Sequence, residues 1–159
     1  MIALLAGNNF SNNAVLFYAA SYTFASLTAF IIVLIMQQAK GNDEHESFNG
    51  LAKAHPMLAF VLAISMLSLA GIPPTAGFFA KFYIFSAAIS SGYIWLIVFA
   101  VISSFISVFY YLRPVISSYM HKGHAETISV SRPVIILLLL LTALTLVLGI
   151  APGLVTGVI

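Results

Sequence analysis

The chain has 159 residues, 62% hydrophobic and 6% charged, with a formal charge of +2 and a mean hydropathy of +1.10. Soluble domains carry about 25% charged side chains, so there is too little polar surface here to face water. A soluble enzyme, a nucleic-acid binder and a disordered chain are excluded. With no cysteine there is no disulfide, thiolate metal site or thiol nucleophile. What is left is an all-α integral membrane protein in a lipid bilayer, whose backbone polar groups are satisfied internally.

In chain order, the apolar pattern predicts one membrane domain over 1–159 with four transmembrane helices. Met1 to Ala6 is too short to cross, and no cleavable signal is expected. The first span, about 14–38, follows Ser11 and Asn12 as caps and is long enough for a bilayer. A polar loop, 39–55, contains the acidic run Asp43, Glu44, His45 and Glu46 and ends at His55, before Pro56. The second span, 56–91, is interrupted at Gly71-Ile72-Pro73-Pro74 and again at Gly77. The third, 93–113, starts at Tyr93 and Trp95, a pair suited to the membrane interface. The loop 113–132 carries His121 and His124, which on their own read as solvated side chains and not as a metal site. The fourth span, 133–151, opens on a proline and closes on Ala151-Pro152-Gly153.

Basic residues set the topology. Lys40 and Lys53 fall in one loop, and Arg113, Lys122 and Arg132 in the other. Each half of 56–91 is about 24 Å long, short for a crossing of its own. One crossing made of two half-helices puts both basic loops on the same face, which is cytoplasmic by the positive-inside rule. The N-terminus, the linker 90–93 and the C-terminus then face outward.

Pro73 and Pro74 remove two backbone donors and clash with the preceding turn, and Gly71 and Gly77 ease a sharp change of direction. A simple proline kink is the plainer alternative. Lys81 stands about 15 Å from the outer linker, among Phe78, Phe79, Phe82 and Phe85 and with no acid in its helix. Placing a charge there costs about 2.5–3.5 kcal/mol even on the lenient insertion scale. An ion pair with a neighbouring subunit is one explanation; a protonatable relay, tuned by its low-dielectric site, is the other. Tyr18, Tyr22 and Ser26 repeat at helical spacing, as do Ser103, Ser107 and Tyr110, with Ser104 and Tyr111 adjacent. Such stripes commonly glue helices together, and they are also candidate lining for a hydrated path. No phosphate loop, nucleophile triad or dinucleotide fingerprint is legible.

The run Leu67-Ser68-Leu69-Ala70-Gly71-Ile72-Pro73-Pro74-Thr75-Ala76-Gly77-Phe78-Phe79-Ala80-Lys81-Phe82 resembles the signature of the antiporter-like membrane subunits of respiratory complex I. Multisubunit cation/proton antiporters and membrane-bound hydrogenases share that signature. Lys81 followed by Phe82, together with Phe109-Tyr110-Tyr111-Leu112-Arg113, Val15-Leu16-Phe17-Tyr18 and Tyr22-Thr23-Phe24, is most like the subunit N type of NADH-quinone oxidoreductase. The resemblance implies the C-terminal portion of a fold of about fourteen helices in two inverted repeats, each with a broken helix. It implies that Lys81 is a proton relay between hydrated half-channels. NADH, FMN, iron–sulfur clusters and quinone are then bound by other subunits, with no cofactor or metal in this chain. The implied partners are the other membrane subunits of complex I and the helices that precede this segment. The implied location is a bacterial inner membrane, multi-pass, or an organellar inner membrane. A sodium/proton antiporter subunit and a non-transporting membrane scaffold are the rival readings.

Overall fold

A computed structural model describes residues 9–40, 45–123 and 128–153. Among the described residues there is no strand. The helices are α1 (Asn9–Lys40), α2 (Leu51–Ala54), α3 (Pro56–Ala70), α4 (Ala76–Ser90), α5 (Ile94–Met120) and α6 (Arg132–Ile150), with a 3-10 turn at His45–Phe48. Among the described residues three helices, α1, α5 and α6, are long and apolar enough to cross a membrane. At 15 residues each, α3 and α4 are about 22 Å long.

Two boundaries differ from the sequence expectation. First, α1 starts at Asn9, so Ser11 and Asn12 fall within the helix and not before it. Neither proline nor glycine intervenes between Asn9 and Ala14, and asparagine and serine weaken a helix by only about 0.7 kcal/mol each. Second, α5 continues beyond Arg113 to Met120, through Pro114. One proline costs an interior helix about 3 kcal/mol, and tertiary packing overrides it. Pro114, Ser117 and Ser118 are the residues that α5 buries, and this end of the helix packs on α2 and the 3-10 turn. Ser118 Oγ donates to the Pro114 carbonyl at 2.7 Å. The loop expected over 39–55 contains the 3-10 turn and α2, with Phe48 and Leu51 buried. Asp43, Glu44 and His124 lie outside the described residues.

Helix α1 organises the rest. Its C-terminal half supplies Ala29, Ile32 and Met36 to a core shared with Leu58, Ala59 and Leu62 of α3 and Leu138 of α6. Its N-terminal half supplies Phe17 to a second core with Ala76 and Ala80 of α4 and Leu148 of α6. The order of those contacts runs backward along α1 as the chain advances through α3 and α4, so both run antiparallel to α1, one after the other. Many of the buried positions are alanines: Ala25, Ala29, Ala59, Ala76, Ala80, Ala87 and Ala88. Small residues let backbones approach, the main source of helix association where lipid is as apolar as leucine. By contrast α5 exposes Trp95, Phe99 and Phe105 by 63%, 66% and 74%, a surface for hydrocarbon or for neighbouring protein and not for water.

Candidate functional site

The chain stops being helical at Ala70 and resumes at Ala76. Gly71, at φ +83°, takes the left-handed conformation that glycine adopts without penalty. Its N–H donates to Ser68 O and Leu67 O, and the Ile72 N–H donates to Leu67 O at 3.0 Å, closing α3 in a Schellman motif. Pro73 and Pro74 follow, joined by a cis peptide. Thr75, extended and buried, precedes α4, and its hydroxyl donates to Ile72 O at 2.7 Å.

The two helix ends are joined by side chains. Ser68 Oγ, on the last turn of α3, accepts the N–H of Gly77 on the first turn of α4 at 3.1 Å. One of the amides left free by the start of α4 is thereby satisfied from the other helix. Gly77 permits this contact because any Cβ there would run into the Ser68 backbone. Lys81, one turn further along α4, reaches back to the break: its Nζ donates to Ala70 O at 2.8 Å. The end of a helix carries unpaired carbonyls and partial negative charge, so a cation is stabilised there. None of the chain's four acidic residues, Asp43, Glu44, Glu46 and Glu126, falls within the sequence of α1, α3, α4, α5 or α6.

Lys81 is half-buried and borders two spaces. On one side is a cavity of mixed polar and apolar lining, about 160 Å³, between α1, α3, α4 and α5. Tyr18, Ser21, Tyr22, Ser68, Ser103, Ser104, Ser107 and Tyr111 bring hydroxyls to it. A space of that size has room for several waters. Ser21 Oγ donates to Phe17 O and Ser107 Oγ to Ser103 O, which directs their protons onto their own helices and leaves oxygen lone pairs for other donors. The rings of Tyr18 and Tyr22 stack at 5.9 Å. On the other side is a larger, mainly apolar cleft of about 420 Å³ between α4 and α5, lined by Phe78, Phe82, Phe85 and Phe105.

The structure thus brings Gly77, Lys81, Tyr18, Tyr22, Ser103 and Ser107 to one cavity, beside the break at Gly71, Pro73 and Pro74. Ser26 and Tyr110, expected on the same stripes, do not line it, and Tyr110 is 59% exposed. Ser21 and Ser68 were not legible as lining. Ser21 stands one turn before Ala25 on the buried face of α1, a spacing that would have found it. Ser68 depends on how the turn at the break folds back. His55 lies away from this cavity, its Nε2 accepting the Ile128 N–H at 2.8 Å between two loop segments.

Among the described residues the chain is all-helical and strongly apolar, and a half-buried lysine of α4 reaches back to the end of α3. The family described as "NADH:quinone oxidoreductase/Mrp antiporter, TM" matches residues 1–107, and the chain belongs to it. Within the family it is most like subunit N of NADH-quinone oxidoreductase. The subunit N of Trichlorobacter lovleyi is 39% identical over 158 residues, 98% of this chain and 32% of that protein. The subunit N of Desulfitobacterium hafniense is 49% identical over 109 residues, 69% of this chain and 22% of that protein. Respiratory complex I from Thermus thermophilus, solved with bound aureothin, contains a chain that superposes with a TM-score of 0.84 at 30% identity. That match covers 98% of this chain and 35% of that one. The chain spans about a third of the length of the curated relatives it matches.

Proposed function

We propose that this chain is a proton-translocating part of the membrane arm of NADH:quinone oxidoreductase, in which Lys81 relays protons. The observation that carries the reading is the position of its ammonium. It rests against a main-chain carbonyl at a helix break and borders a hydroxyl-lined cavity. From there a proton passes to waters held by the tyrosine and serine hydroxyls, and the emptied amine takes up another. Because a backbone carbonyl and not a carboxylate is its partner, release of the proton does not strand an opposite charge.

In this reading α3 and α4 act as two halves of one crossing among four, with the basic loops on the cytoplasmic face. The support is that both halves lie in succession along α1. The chain holds no redox centre. NADH, FMN, iron–sulfur clusters and quinone belong to other subunits of the complex, and electron transfer there biases the protonation of Lys81. The membrane is a bacterial inner membrane.

The test replaces Lys81 with Ala and with Met in the assembled complex and measures quinone reduction and proton pumping separately. A relay predicts an assembled enzyme with lost pumping. Normal pumping by either assembled variant refutes it. Loss of assembly in both, with a neighbouring subunit released, points to a scaffold. The family name also covers antiporters, so the assay is repeated with and without sodium. Transport that needs sodium assigns the antiporter role instead.

A further inference from the structure

Two glycines close helices of this chain in the same way. Gly71 closes α3 at φ +83°, and Gly92 closes α4 at φ +80°. Each follows the last helical turn, and the residue after it donates back to a carbonyl five positions earlier: Ile72 to Leu67, Tyr93 to Ala88. Their backbone demands are therefore alike. Their surroundings are not. A Cβ built on Gly92 meets nothing within 4 Å. A Cβ built on Gly71 falls 2.8 Å from Cδ, 3.2 Å from Cε and 3.0 Å from Nζ of Lys81. The whole outer half of the lysine lies across the bare Cα of Gly71, and its nitrogen ends on the carbonyl of the preceding residue, Ala70.

We propose that Gly71 is a positioning residue for Lys81: its missing side chain forms the seat across which the ammonium reaches the Ala70 carbonyl. The proposal rests on the relay reading above and adds what holds the relay in place. The seat lines the phenylalanine-rich cleft, and the lysine that crosses it also borders the hydroxyl-bearing cavity on its other side. A side chain at position 71 displaces the ammonium from the end of α3 into one of them. The hydrogen bond to the carbonyl is then lost, while the fold around the glycine is asked only for its ordinary left-handed conformation.

The test compares Gly71→Ala with Gly92→Ala in the assembled membrane complex, each alone and combined with Lys81→Ala. Both alanines carry the same left-handed strain, and only one meets the lysine. Gly71→Ala is expected to lower protons pumped per NADH oxidised about tenfold, the worth of one hydrogen bond to a charged group, with Gly92→Ala unchanged. In thermal melting, Gly71→Ala alone destabilises more than Gly92→Ala, and Lys81→Ala abolishes the difference. Should Gly71→Ala fail to assemble, Gly71→Asn brings the same Cβ on a residue that tolerates this conformation. Equal pumping by the two alanine variants, or a melting difference that persists without the lysine, overturns the proposal. Normal pumping by Lys81→Ala alone instead overturns the relay reading, and the melting comparison still decides whether the seat exists.

Discussion

Gly77→Ala is the sharpest test of how α3 and α4 meet. An added Cβ falls 2.7 Å from the carbonyl carbon of Ser68 and 3.0 Å from its Oγ, where carbon atoms prefer about 3.5–4.0 Å. The obstacle is main chain on both sides, so no rotamer change can relieve it, and α3 and α4 must part by about 1 Å. The same movement stretches the Gly77 N–H···Ser68 Oγ bond from 3.1 Å past useful length. Overpacking costs about 1–3 kcal/mol, and an orphaned buried N–H costs about 1–3 kcal/mol more. A total of about 3 kcal/mol corresponds to roughly a hundredfold more frequent local opening. Hydrogen exchange of the first-turn amides of α4, measured in the assembled complex, reads that factor directly. Gly153→Ala, where a Cβ meets nothing within 4 Å, is the control. Exchange in Gly77→Ala within about threefold of the parent, below 1 kcal/mol, would refute the close crossing.

Ser68→Ala removes the acceptor of that bond without adding bulk. It should cost about 1 kcal/mol, speed exchange of the Gly77 amide less than Gly77→Ala does, and leave the helix crossing intact by melting. Gly149→Ala on α6 places a Cβ against Pro74 O and 2.6 Å from the carbonyl carbon of Thr75. It is expected to destabilise by about 1–3 kcal/mol, seen as a lower melting midpoint of the complex. His55→Ala deletes the acceptor of the Ile128 N–H. That amide should exchange about fivefold faster, as for one hydrogen bond of ordinary strength, with quinone reduction unaffected.

What was legible in the sequence is what is decided locally. Paired prolines and Gly71 act within one turn, and they fall in the stretch between the end of α3 and the start of α4. Lys81 stood out because a lone cation in an apolar run is costly and calls for a partner or a role. Helical periodicity grouped Tyr18 with Tyr22 and Ser103 with Ser107, and each pair shares a helix face that borders the cavity. Ser26 and Tyr110, on the same stripes, do not line this cavity, because a stripe drifts around the helix over successive turns and only the neighbouring helices fix which edge of it is covered. The end of α5 was not legible: Pro114 is a local stop signal, and the packing that overrides it comes from residues 45–54, far away in sequence. The partnership of Ser68 with Gly77 was hidden for the same kind of reason. It depends on the path of the five residues between the two helices, which residue identities do not encode one by one.

The way α1 lies along both α3 and α4 limits what kind of motion Lys81 can use. One unbroken rod is wedged into both pieces by Phe17 at one end and Ile32 and Met36 at the other, all close to fully buried. Swinging either piece would tear one of those contacts away from a close-packed interior that resists gradual deformation. Turning the χ angles of a lysine disturbs neither. Within this bundle the splint immobilises the fracture, and the freedom that remains belongs to a side chain.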